Sequence, residues 1–106
     1  MGNDMMNAGK IIKLKKQLDL VIKMVEQKRE KEYHEYWDEV IKKYVNLRKI
    51  LDNDIQEVSR LKTYETGVLG LVRNAYDLSV LQDYDDPLAH EMSKVSKLVK
   101  ELFSSK

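Results

Sequence analysis

The chain has 106 residues, of which 35 % are charged and 42 % hydrophobic, and its 19 basic and 18 acidic side chains leave a formal charge of +1. That length sets one domain with a modest core, and that charge gives no general attraction to nucleic acid or to anionic membranes. The lack of Cys excludes disulfides, thiolate metal sites and a cysteine nucleophile. No apolar run approaches the roughly 18 residues of a membrane span, and the start has no signal-peptide anatomy, so the expected location is the cytoplasm.

Residues 1–9 read as a flexible lead-in. From Lys10 to Leu51 there is neither Gly nor Pro, and apolar residues recur at steps of three and four. This predicts one long helix over 10–51. Ile11, Leu14, Leu18, Val21 and Val25 form a heptad stripe. After the charged stretch Glu26–Glu32 the stripe resumes one residue out of phase, at Tyr33, Trp37, Val40, Tyr44, Leu47 and Leu51. In a continuous helix such a shift is a stutter. The alternative is a break near 26–32 that folds the chain into a compact four-helix bundle. The lack of a breaker, with Lys28/Glu32 and Lys31/Glu35 at helix spacing, favours continuity.

Asp52, Asn53 and Asp54 make the first turn-like cluster, and Asp54 with Glu57 has the pattern of a capping box. A second helix over 55–84 is expected, greasy around most of its circumference from Val68 to Leu81. Gly67 and Gly70 within it imply close backbone packing or a local break near Thr66. Arg73 and Asp77 beside Asn74 read as a polar lock that sets register, or as the wall of a small-ligand pocket. Asp86 followed by Pro87 is helix-start chemistry, and a third helix is expected over 87–103. It carries Leu88, Met92, Val95, Val99 and Leu102 inward and Lys94, Lys97 and Lys100 outward, toward the end where the helix dipole favours cations. The fold class is therefore all-α: a long N-terminal helix packed by two shorter ones, a three-helix bundle with coiled-coil character.

Two hypotheses about function follow. A second helix returning on the long one covers Tyr33 to Leu51 and leaves Ile11, Leu14, Leu18, Val21 and Val25 without a partner in the same chain. A leftover heptad seam meets another copy or another protein. The first expectation is thus a non-enzymatic assembly or adaptor protein, a homodimer through those five residues. It offers Tyr36, at the edge of the aromatic stripe, to an unknown protein partner. The second is a small nucleic-acid-binding regulator that touches phosphates with Lys10, Lys13, Lys16, Arg29 and Lys31.

Catalysis finds little support. Arg29 and His34 share the Arg-x4-His spacing of the HEPN ribonucleases, but a step of five turns two helical side chains roughly 140° apart. Glu30, His34 and Asp38 share a helix ridge, where salt bridging is the better account than a metal. The Trp-x-Gly turn of small secreted helical proteins is missing, because Trp37 is followed by Asp38 and Glu39. No Gly-rich phosphate loop, Ser-His-Asp set or zinc signature can be assembled. No enzyme activity, cofactor or metal is expected.

Overall fold

A computed structural model describes residues 2–52, 58 and 62–103, with side chains from Ala8 onward. Among these residues there are four α-helices and no strand. They are α1 (Gly2–Lys31), α2 (Glu35–Leu51), α3 (Leu71–Asp77) and α4 (Pro87–Phe103), with a 3-10 turn at Thr63–Thr66 before α3. The chain is an all-α bundle. Its long dimension, 46 Å against 21 and 20 Å, is close to the length of α1 at about 1.5 Å per residue.

The break considered near residues 26–32 is real and falls at Glu32–His34; the continuous helix over 10–51 does not form. No Gly or Pro makes this turn. His34 is extended (φ −151°, ψ 138°), and its Nδ1 accepts from the Tyr36 amide at 3.0 Å, an imidazole capping α2. Across the turn, Asp38 accepts from Arg29 (2.8 Å) and from the Tyr33 hydroxyl (2.8 Å). Those two bonds hold the Asp38 carboxyl below its ordinary range. The energetics explain why a segment of good helix formers bends. The interruption forgoes only a few backbone bonds worth about 1 kcal/mol each, since the Glu32 amide still donates to the Lys28 carbonyl at 2.9 Å. Folding back buries two whole stripes on each other, at about 1.5–3 kcal/mol for each large apolar side chain. The one-residue phase shift is the turn itself rather than a stutter.

The stripe of α1 is consequently filled from within the chain. Leu14, Leu18, Val21 and Val25 are fully buried and Ile11 nearly so, in one cluster with Val40, Tyr44, Leu47 and Leu51 of α2 and Met92, Val95 and Val99 of α4. α1 runs antiparallel to both neighbours. Against α2, a step of four forward from Lys15 to Asp19 is matched by a step of four back from Asp52 to Arg48 (3.0 and 2.9 Å). Against α4, the Gln17 amide donates to the Glu91 carbonyl and carboxylate, both at 2.9 Å. The self-association seam expected at Ile11, Leu14, Leu18, Val21 and Val25 is therefore not a free surface: α2 and α4 occupy it. A continuous helix over 10–51 would leave the chain too short to cover that stripe; the turn at Glu32–His34 brings α2 back over it. The lead-in expected over 1–9 is also revised, since helical backbone starts at Gly2.

The single helix expected over 55–84 is not found. Its proposed start, including the Asp54/Glu57 capping box, lies outside the described residues. Of the rest, the 3-10 turn ends at Gly67 (φ +74°), and Gly70 (φ +82°) precedes α3. Both glycines are left-handed, a conformation costly for any residue with a Cβ. They act as breaks, as weighed for Thr66, and not as sites of close packing: a Cβ at either would meet nothing within 4 Å. α3 then closes in a Schellman motif: the Ser79 amide donates to Tyr76 O and the Val80 amide to Ala75 O, both at 3.0 Å. Ser79 takes the left-handed position (φ 60°) where Gly is usual. α4 begins at Pro87, capped by the Asp86 carboxylate on the Leu88 amide at 2.9 Å.

Tyr36, the expected partner-binding residue, is 6 % exposed and lies inside the bundle. Its hydroxyl donates to the Leu71 carbonyl at 2.6 Å, tying the start of α2 to the start of α3. Burial pushes its pKa up to about 12 from 10.0. A tyrosine whose folded pKa is raised stabilises the fold fully below pH 10, and this contribution is lost as pH rises toward 12. Tyr36→Phe is expected to lower stability by about 1–2 kcal/mol at neutral pH, since the Leu71 carbonyl loses its donor. Part of the alkaline loss should vanish with it. Denaturant melts of both proteins at pH 7 and pH 11 measure the two effects together.

Candidate anion-binding cleft

The break in α1–α2 and the two left-handed glycines together place α3 alongside the second half of α4. Between them opens a cleft of about 740 Å³, lined by Gly70, Val72 and Arg73 on one wall and by Ser93, Ser96, Lys97, Lys100 and Glu101 on the other. Around the α4 ridge it adjoins a smaller hollow of about 320 Å³ that shares Lys97 and Glu101 and adds Lys13, Gln17 and Lys94. The α4 residues recur at i, i+3, i+4 and i+7, one polar face of a helix whose opposite face is the core.

The lining is predominantly basic, with Glu101 its one carboxylate among the described residues. Five cations from three helices, Lys13, Arg73, Lys94, Lys97 and Lys100, border the two hollows. Lys94 is paired with Glu91 at 3.1 Å, and the Gln17 hydrogen bond, followed by that pairing, holds the Glu91 carboxyl below its ordinary range. Among the described residues the other four make no ion pair, even though Glu101 stands four residues after Lys97. The helix dipole accounts for Lys100 near the end of α4, but not for Arg73 and Lys13 on other helices. Like charges converging on one concavity repel, and an anion placed among them removes that cost. Serine hydroxyls and a guanidinium fork add the donors that carboxylate or phosphate oxygens accept.

The residues expected to touch phosphate do not converge. Lys13 is in the cleft region. Arg29 is committed to Asp38 at the turn, and Lys31 lies beside Asp86 and Pro87 at the far end of α1. Lys16 is exposed and Lys10 half-buried, and neither lines a hollow described above. Arg29 and His34 are both engaged in closing the turn and form no shared site. Among the described residues no three His, Asp or Glu side chains gather to hold a metal ion, so Glu30, His34 and Asp38 make no such group. The Arg73–Asp77 lock is absent: both side chains are exposed, and Arg73 faces the cleft. Sequence reasoning treated Lys94, Lys97 and Lys100 only as the wet side of a helix. The signal it lacked was the turn at Gly70 that swings Arg73 toward them.

No helix among the described residues is long and apolar enough to cross a membrane. No curated protein and no solved structure matches the chain. A family model described as YeeD uncharacterised protein matches residues 9–106, nearly the whole sequence, and the chain belongs to that family.

Proposed function

We infer that the protein is a non-enzymatic adaptor whose α3/α4 cleft, with the adjoining α1/α4 hollow, docks an acidic segment of a partner protein. The observation that carries this reading is the excess of positive charge along two adjoining hollows: Arg73, Lys97 and Lys100 share the larger, Lys13 and Lys94 join Lys97 in the smaller, and Glu101 is the one carboxylate lining either among the described residues. The hollow is open, carries Gly70 and Val72 on its α3 wall, and is of the volume typical of ligand sites. An extended chain segment suits such an open trough better than an enclosed small molecule does. A duplex is the less favoured partner: the basic residues of α1 are dispersed over opposite ends of the helix, and the net charge is near zero.

The test is binding of a fluorescent glutamate-rich peptide, followed by anisotropy. Lys97→Glu combined with Lys100→Glu should weaken binding by tenfold or more, about 1.4 kcal/mol, with the helical signal unchanged. Wild-type binding should weaken as salt rises. No binding, or equal binding by the variant, rejects the cleft. Tighter binding of a generic DNA duplex than of the peptide, at matched salt, rejects the acidic-protein reading in favour of nucleic acid.

A further inference from the structure

The acidic segment that best suits the cleft is in the chain itself. Between α3 and α4 the backbone makes a bend at Asp83, Tyr84 and Asp85, all three exposed. Tyr84 is 82 % exposed, yet it is held in place: its ring stacks on Tyr76 with centroids 5.1 Å apart. The Tyr76 hydroxyl donates to the Asp83 carbonyl at 2.7 Å, and the Asp83 carboxylate accepts from the Asp85 amide at 2.9 Å. An aromatic ring fixed outward between two carboxylates is preorganised for contact, because little side-chain freedom remains to be lost on binding. The cleft offers what that tip lacks. Lys97 and Lys100, with Lys13 in the adjoining hollow, outnumber Glu101 and complement the carboxylates, Gly70 and Val72 give the ring an apolar wall, and Arg73 can lie on its face.

A molecule cannot fill its own cleft in this way. The tip precedes Pro87, whereas Lys97 lies ten residues further along α4, about 15 Å away at the helical rise. We propose that the cleft of one copy receives the Asp83–Tyr84–Asp85 tip of a second copy, a head-to-tail contact between unlike ends. This rests on the reading of the cleft as a site for an acidic segment. The contact is heterologous, so it leaves a free tip at one end and a free cleft at the other, and it continues into open chains or closes into rings. It differs from the seam expected on α1 in both location and symmetry.

Two neutralised variants test it. The tip variant carries Asp83→Asn, Tyr84→Ala and Asp85→Asn; the cleft variant carries Lys97→Gln and Lys100→Gln. Trp37 emission reports that each is folded. In sedimentation velocity at low salt, the wild type should form species larger than a dimer that grow with concentration and dissociate as salt rises. Each variant alone should be a monomer. An equimolar mixture should give a dimer and nothing larger, because only one intact tip and one intact cleft remain. A wild-type monomer at tens of micromolar, a tip variant that assembles like wild type, or a mixture that stays monomeric overturns the proposal. If the wild type is monomeric but its cleft binds the glutamate-rich peptide and the cleft variant does not, only the second-copy assignment falls. If the peptide also fails to bind, the acidic-segment reading falls with it.

Discussion

Leu18→Glu is expected to unfold the protein. Leu18 has no solvent exposure and sits in the middle of the α1 stripe, covered by both α2 and α4. The substitution forfeits about 1.5–3 kcal/mol of apolar burial and places a carboxylate where the surrounding stripe offers no counter-charge, which costs several kcal/mol more. The sum is comparable to the whole stability of a domain this size, about 5–15 kcal/mol. Loss of the helical far-UV signal together with a red shift of Trp37 emission is the expected readout, and Leu14→Glu should behave alike. The outcome discriminates sharply between two architectures. On a continuous 10–51 helix these positions face a second copy, so the variant should be a folded monomer with Trp37 still buried. A folded, well-dispersed Leu18→Glu monomer would therefore restore the long helix and remove the closed bundle.

Trp37→Ala should cost about 3–5 kcal/mol in a denaturant melt, without changing the backbone topology. The ring is 1 % exposed, tilted against Tyr36 with centroids 5.8 Å apart, and it is the largest wholly buried side chain. It lies one helical turn from the His34 cap, so the cavity would open beneath the hairpin that makes the bundle. Tyr33, on the other side of that turn, is 69 % exposed and touches Asp38 only at the surface. Tyr33→Ala should accordingly change stability by less than about 1 kcal/mol. Equal losses at the two positions would mean that the turn, and not the core beneath it, holds α1 and α2 together. The contrast also reverses the assignment of the exposed aromatic: Tyr33 is out, and Tyr36 is in.

The inward residues of each helix were legible because burial imposes its period on the sequence. Val40, Tyr44, Leu47 and Leu51 on α2, and Leu88, Met92, Val95 and Val99 on α4, recur at steps of three and four and are all buried. The start of α4 was legible for a local reason: Asp86 and Pro87 satisfy or remove the orphan amides of a first turn without help from elsewhere. The turn at Glu32–His34 was not, because its residues are acceptable helix formers and its cap is an imidazole. The choice between one long helix and two short ones depends on what the stripes gain by meeting, and local propensity does not contain that term. Gly67 and Gly70 announced a break near Thr66 without its direction. The cleft was hidden for the same reason. Arg73 and Lys97 are 24 positions apart, and only the path of the backbone through Gly70 brings them to one hollow.

By itself, then, the sequence determined that the chain is all helix and which face of α2 and of α4 is greasy, because both follow from the spacing of neighbours along a helix. The tertiary structure alone decided that α1 closes on its own chain, that Tyr36 is interior, and that scattered cations from α1, α3 and α4 line two adjoining hollows. Those are matters of contact between distant segments, where burial of whole stripes outweighs the few backbone bonds given up at a turn.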